Sequence, residues 1–474
     1  MLLKNAGKNG NHQYKYQQIY KGIKEQILEG DLQTNEKLPS KRKLASQLRV
    51  SVNSVTNAYE QLLAEGYIYS IERKGYYVEQ ITKFTDKDLT SRKLPDDLKE
   101  QTSDKEGWLS FSHMTSDISK FPFDTWIKSK QKAISNHKTE LSEIANSQGP
   151  YLVRKTISRL IKLNRGVICE PEQIVIGSGT QLLIQQLMNT LQSTSDIDTV
   201  IAIENPGYSR FYNLLKKMNL DVKPIQLNKD GIDIKKVESS GAKFVIVTPS
   251  HQFPTGKIMP ISRRIELLNW TSQSTNRYII EDDYDSEFKY KTDNIPSLQS
   301  LDRSNRVIYT GTFSKTLLPS FRISYMVLPS DLLKVYKKQN ADLIHSSNTL
   351  SLYTLHYFIE DGEYGKHLKK MNNHYEVKRK VLIEKLRNRF GTRIHIEDVP
   401  AGLHFFATFQ TKKSYSEIEE RAEMNKLEVY TLKRFLLTNE RDNENEKSLV
   451  IGFASIEVEK MEEAVERLYQ IISN

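Results

Sequence analysis

A chain of 474 residues is longer than one hydrophobic core can organise, so two or three domains are expected. Its 38% hydrophobic and 27% charged content is that of an ordinary globular protein, and the absence of any long apolar stretch or apolar leader argues against a membrane span or secretory signal and for the cytoplasm. A single cysteine, Cys169, excludes an internal disulfide and a multi-cysteine zinc site, while a formal charge of +10 permits a nucleic-acid partner without requiring one.

Taken in chain order, residues 16–29 place Ile19, Tyr20, Ile23, Ile27 and Leu28 at helical spacing, with Gly30 positioned to end the helix. Ser40 is a good N-cap for a second helix at 41–48, and after the turn Arg49-Val50, Ser51 can cap a third. That third helix carries Val55, Ala58, Tyr59, Leu62 and Leu63 on one side. Two runs at 67–71 and 76–78 then flank Glu72-Arg73-Lys74-Gly75, a hairpin with a basic tip. Residues 11–80 therefore read as a mainly α winged helix-turn-helix. The DNA-facing set is Ser40, Lys41, Arg42, Ser51, Asn53, Ser54, Asn57, Arg73, Lys74 and Gly75. In it the first turn of the third helix would meet base edges, and Lys41, Arg42, Arg73 and Lys74 would meet phosphates. Ten basic and eight acidic side chains in this region leave a protein-docking role open on charge alone.

Residues 81–107, with Asp86, Lys87, Asp88, Ser91, Arg92, Lys93 and Pro95, lack apolar periodicity and read as a solvated linker. From 108 to 474 helical stretches alternate with short apolar runs at 174–176, 199–203, 244–247, 278–281, 307–309 and 323–327. This is the pattern of an α/β domain built on a mainly parallel sheet, followed from 393 by a smaller α+β subdomain.

The chemistry concentrates at strand ends. Lys315 sits among small hydroxyl residues, Arg322 follows seven positions later, and Glu281-Asp282-Asp283-Tyr284 precedes both at the end of a strand. This is equipment for pyridoxal 5'-phosphate: a lysine for the Schiff base, an aspartate to keep the ring nitrogen protonated, and an arginine for the phosphate. Gly177-Ser178-Gly179-Thr180 after a strand suits an anion site at a helix N-terminus. Asp282 and Tyr284, two residues apart, point to one side if the strand continues. The competing reading of Glu281, Asp282, Asp283, Asp285 and Glu287 is a solvated acidic loop or a divalent-metal site, which ranks behind the cofactor; no metal is expected.

The strings Leu38-Pro-Ser-Lys-Arg-Lys-Leu-Ala, Leu48-Arg-Val-Ser-Val-Asn-Ser-Val, Leu62-Leu-Ala-Glu-Gly-Tyr-Ile and Lys74-Gly-Tyr-Tyr-Val resemble the GntR family of bacterial regulators. That family usually has arginine where this chain has Val52. Gln148-Gly-Pro-Tyr, Gly177-Ser-Gly-Thr, Asn205-Pro-Gly-Tyr208, Pro254-Thr-Gly256, Asp282-Asp-Tyr284 and Thr312-Phe-Ser-Lys315 with Arg322 occur in the order found in fold-type I aminotransferases. The pairing resembles MocR-subfamily regulators. The phrasing around Thr248-Pro-Ser-His-Gln-Phe-Pro is especially similar to the GabR type, which governs use of 4-aminobutyrate.

The resemblance implies that Lys315 holds the cofactor as an aldimine and that Asp282 pairs with the ring nitrogen. Tyr284 would reach the cofactor's phenolic oxygen, and Tyr208 would stack on its ring. Ser178, Gly179, Thr180, Thr312 and Arg322 would bind the phosphate, and Arg210 and Arg434 an effector carboxylate. It further implies a homodimer, double-stranded operator DNA as partner, and an amine effector that forms an external aldimine and alters DNA binding. Aminotransferases commonly have asparagine before Pro-Thr-Gly; Phe253 stands there instead, so a sensor is expected and not an enzyme. The alternative is a working aminotransferase with an appended DNA-binding module.

Overall fold

A computed structural model of the chain describes residues 14–81, 94–100, 106–192, 199–291, 295–438 and 443–473. Its internal contacts divide the chain into two compact units, residues 1–104 and 105–474. Most of the stretch read as a linker, 82–93 and 101–105, lies outside the described residues, as do 11–13.

In the first unit, helices Lys15–Glu29, Lys41–Leu48 and Val52–Ala64 precede an antiparallel hairpin of Ile68–Ile71 with Gly75–Val78. The turns follow from local chemistry. Ser40 Oγ accepts the Lys43 N–H at 3.3 Å and Ser51 Oγ the Ser54 N–H at 3.1 Å, satisfying helix-start donors that would otherwise lack partners. Arg49 ends the second helix in the left-handed region at φ +53°, which keeps the turn to the third helix short. Ile19, Ile23, Leu44, Val55, Ala58, Leu62, Ile68 and Val78 form one core around the fully buried Tyr59. The Tyr59 hydroxyl donates to Pro39 O at 2.8 Å and so pins the segment that starts the second helix.

The second unit is organised by an eight-stranded sheet among the described residues. Its strand order is Ile174–Gly177, Ser324–Val327, Val307–Thr312, Tyr278–Asp283, Phe244–Val247, Val200–Asn205, Asp221–Asn228 and Gly231–Ile232. Four neighbouring pairs are parallel, whereas Ser324–Val327 runs antiparallel to both its neighbours. Several central strands, such as Phe244–Val247, are buried along their whole length, as a sheet covered on both faces requires. Asp221–Asn228 was not expected as a strand. It is buried only at Val222 and Ile225 and contains Pro224, features of a strand near a sheet's edge.

Among the described residues the C-terminal subdomain has a four-stranded antiparallel sheet ordered Ile394–Glu397, His404–Gln410, Glu446–Gly452 and Tyr430–Thr431. Helices Glu363–Phe390, Tyr415–Met424 and Met461–Ser473 pack with it. Leu109–Ser110 pairs in parallel with Leu427–Glu428, so Phe111 enters this core from the opposite end of the unit's sequence. No helix among the described residues is long and apolar enough to cross a membrane.

Candidate functional site

The sheet brings its functional side chains to strand ends. Asp282 lies in the last turn of pleat of Tyr278–Asp283, opposite Thr310 of the neighbouring strand, and Thr312 ends that neighbour. Together with Ser324 and the first residue of helix Thr180–Gln192 they border a cavity of about 280 Å³. The same cavity is lined by Gly179, Thr180, Tyr208, Arg210, Tyr284, Lys315 and Arg322. Of the residues expected to hold the cofactor, Ser178 alone is absent from the wall: its Oγ donates to Ser346 O at 3.0 Å. His113, Met114, Gln181, Thr248, Phe253, Ser314 and Pro319 complete the lining.

Each key group is tuned by its surroundings. Burial pushes the Asp282 carboxyl up to about 7, Thr310 Oγ1 donating to Asp282 Oδ1 at 2.8 Å draws it down, and the neighbouring Asp283 and Asp285 push it up. A buried acid held that high lacks a cationic partner, and a protonated pyridine nitrogen would supply one. Desolvation takes the Lys315 ammonium down to about 8, against a raising effect of Asp285. Lys315 Nζ donates to His113 O. Tyr284 donates its hydroxyl proton to His251 O at 2.9 Å, and the rings of Tyr208 and Tyr284 both meet Phe253 edge to face.

At the other end of the cavity Gly179 adopts φ +115°, and a Cβ there would overlap the Arg322 guanidinium. Arg322 Nη2 donates to Ser178 O at 3.2 Å. Guanidinium, glycine backbone and helix N-terminus thus form a corner suited to a phosphate. Thr312 Oγ1 accepts from the Ser314 N–H at 3.1 Å and from Ser324 Oγ at 2.8 Å, which fixes the start of the lysine loop. Amine, buried carboxylate, aromatic walls and anion corner together fit pyridoxal phosphate.

The acidic stretch is not a solvated loop. Glu281 accepts the backbone N–H groups of Leu298 and Gln299, each at 2.8 Å. Asp283 forms a buried ion pair with Arg165 at 2.7 Å and accepts the Tyr309 hydroxyl at 2.6 Å. Asp285 accepts from His251. These carboxylates are inside because each has donors, which composition alone does not reveal. His251, Asp285 and His404 have ligand-type atoms within 4.8 Å of one another. Hydrogen bonds among His251 Nδ1, Asp285 and Tyr284, and from His404 Nε2 to Pro254 O, account for that cluster, and Gly402 packs directly on it.

The two arginines assigned to the effector part company. Arg210 lines the cavity, with Nη2 3.4 Å from Met114 Sδ. Arg434 is exposed, outside the cavity lining, and paired through Nε with Glu419 Oε1 at 2.8 Å. His113 was missed altogether, since Phe111-Ser-His-Met carries no motif. Burial, with Lys315, Arg210 and Arg434 adding positive charge, holds its imidazole down at about 3, hence neutral.

In the first unit, Ser40, Arg42, Ser51, Asn53, Asn57, Arg73 and Lys74 are exposed, while Lys41, Ser54 and Gly75 are partly covered. Val52, 44% exposed, opens the third helix with an apolar side chain at the expected contact face.

Residues 108–468 match the family of aminotransferases class I and II, and residues 15–78 match the bacterial regulatory proteins of the gntR family. The chain belongs to the GntR/MocR-type helix-turn-helix regulators that carry an aminotransferase-like domain. It is 36% identical over 455 residues to the uncharacterized HTH-type transcriptional regulator YdeL of Bacillus subtilis, covering 96% of each chain. It is 29% identical over 465 residues to the probable rhizopine catabolism regulatory protein MocR of Rhizobium meliloti, covering 96% of this chain and 92% of that one. In fold it is similar to Pyrococcus horikoshii kynurenine aminotransferase, with a TM-score of 0.67 and 22% identity over 77% of this chain and 90% of that one.

Proposed function

We propose that the protein is a pyridoxal phosphate-dependent transcriptional regulator whose second unit senses an amine and whose first unit reads operator DNA. The observation that carries this reading is the convergence of Lys315, Asp282, Tyr284 and Arg322 on one cavity in a chain that also holds a gntR-type helix-turn-helix. When bound, pyridoxal phosphate supplies an aldehyde carbon that condenses reversibly with an amine. Lys315 is the resident amine, and its desolvation keeps part of it neutral near pH 8. With the cofactor bound, Asp282 would hold the proton on the ring nitrogen, Tyr284 would serve the phenolic oxygen, and Tyr208 would flank the ring. Arg322, Gly179, Thr180, Thr312 and the main chain at Ser178 hold the phosphate.

An amine able to compete with Lys315 for that carbon would be the effector. Arg210 is its carboxylate partner in the cavity, and Arg434 joins once it leaves Glu419. Sequence phrasing favours 4-aminobutyrate, which carries an amine to replace that of Lys315 and a carboxylate for these cations. The protein acts as a homodimer, so that two winged helices engage separated half-sites. The effector shifts DNA binding only through contacts that differ between the free and effector-bound states, and the two arginines are where that difference arises. Phe253 at the place of a cofactor-bonding amide, and the attached DNA reader, favour sensing over turnover.

The test is spectroscopic. Purified protein given pyridoxal phosphate should develop a visible absorption band that 4-aminobutyrate shifts, and Lys315→Ala should lack that band. A wild-type protein that takes up no cofactor would overturn the reading.

A further inference from the structure

Tyr284 does not stand alone at the cavity wall. His251 is 3% exposed and Asp285 1% exposed, and neither lines the cavity. His251 Nδ1 lies 3.0 and 3.1 Å from the two Asp285 carboxylate oxygens, and Asp285 Oδ2 also accepts the Leu403 N–H at 3.3 Å. A carboxylate can only accept, so this contact places the imidazole proton on Nδ1. The same Nδ1 lies 3.0 Å from the Tyr284 oxygen, whose own proton goes to His251 O at 2.9 Å. The phenol is therefore gripped twice by one residue: it accepts from the ring and donates to the main chain. Among the described residues the buried Nε2 of His251 has no hydrogen-bond partner, and the ring packs against His404 with centroids 4.7 Å apart.

The geometry points to His251 and Asp285 as positioning residues that act on the cofactor through Tyr284. Asp285 fixes the Nδ1–H tautomer, and the one Nδ1–H is shared between the Asp285 carboxylate and the phenolic oxygen of Tyr284. With its lone pair engaged, the Tyr284 hydroxyl is a better proton donor, and its proton rests on His251 O. A phenolate oxygen on a bound ring would then take the hydroxyl proton that His251 O now receives. If the tautomer were reversed, bare Nδ1 would itself accept the Tyr284 proton and draw the hydroxyl away from the cavity. The titratable groups around Tyr284 are Asp282, Asp283, Asp285, Glu204, His251 and His404; burial and the carboxylates push its phenol well up, so it stays a donor across the working pH range.

The inference rests on the cofactor reading above, and its test separates the two. The full-length protein is loaded with pyridoxal phosphate, and the pH midpoint of its visible band is followed in wild type, Asp285→Asn, His251→Asn and Tyr284→Phe. Asp285→Asn can donate to Nδ1 and reverse the tautomer; it should raise the midpoint by about one pH unit, the size of one hydrogen bond to the ionising group. His251→Asn keeps an N–H near the Nδ1 position and should stay closer to wild type. In the Tyr284→Phe background Asp285→Asn should add nothing, because its path to the cofactor is gone. An unchanged midpoint in Asp285→Asn, or an equal shift with and without Tyr284, overturns the positioning role while the visible band itself upholds the cofactor. If Asp285→Asn does not fold, the comparison of His251→Asn with His251→Leu decides: equal midpoints overturn the proposal, and a higher midpoint in the leucine variant supports it. A wild-type protein without any visible band overturns both.

Discussion

Asp282 and Thr310 face each other on adjacent parallel strands, and the 2.8 Å bond from Thr310 Oγ1 to Asp282 Oδ1 is the direct side-chain support of a carboxylate that burial has pushed up to about 7. The unfolded chain ionises the same group near 3.8. An acid with its folded value above its unfolded value favours the fold at low pH, and this contribution is lost as pH rises from about 3.8 to about 7. Asp282→Asn should therefore make the cofactor-free protein at least as stable as wild type at pH 8, with little change at pH 4. It should also weaken pyridoxal phosphate binding by roughly tenfold or more, since the ring nitrogen loses its counter-charge. Thermal unfolding of the cofactor-free forms and equilibrium dialysis check both halves.

Gly179 has a different kind of constraint. Its φ of +115° and the guanidinium of Arg322 leave no place for a Cβ. Gly179→Ala should lose about 1–3 kcal/mol of stability to backbone strain and lose cofactor affinity by about tenfold, because the arginine must move from the anion corner. Isothermal titration with pyridoxal phosphate gives the number.

The buried pair of Arg165 and Asp283 should prove structural. Arg165→Met leaves the buried Asp283 without its cation beside Glu281 and Glu287, at a cost of about 3–5 kcal/mol. The Tyr309 hydroxyl remains as a donor and places the expected value toward the lower end. Urea unfolding measures it.

For the DNA reader, Arg42 is exposed and makes no ion pair among the described residues. If it meets a phosphate, Arg42→Ala should weaken binding to all sequences alike and reduce the slope of log affinity against log salt by about 1. Asn53→Ala should instead lose discrimination between operator and unrelated DNA. Fluorescence anisotropy at several salt concentrations separates the two effects.

Much of this was legible in the sequence because the relevant signals are local. Ser40 and Ser51 announce helix starts that the structure caps with those same hydroxyls, and the apolar runs at 244–247 and 278–281 are central strands. Lys315, Asp282 and Arg322, singled out by motif order and tied to strand ends and turns, line one cavity. What stayed hidden depends on distant pairing. His113 reaches the site because Leu109–Ser110 pairs with a strand more than three hundred residues later. The partners of the carboxylates Glu281, Asp283 and Asp285, on Leu298, Arg165 and His251, come from other elements, so the sequence left a solvated loop as a competing reading. Arg434, assigned without a nearby motif, lies beside Glu419 and not in the cavity wall.

The central claim is that chemistry at Lys315 changes DNA binding, and one titration addresses it. Wild type and Lys315→Ala, both supplied with pyridoxal phosphate, are titrated with 4-aminobutyrate while anisotropy reports binding to a DNA fragment from upstream of the protein's own gene. The account predicts an effector-dependent change in affinity of about 5- to 150-fold in wild type and none in Lys315→Ala. An equal response in both proteins would contradict it, as would a wild type whose visible band shifts with the amine while its DNA affinity stays constant.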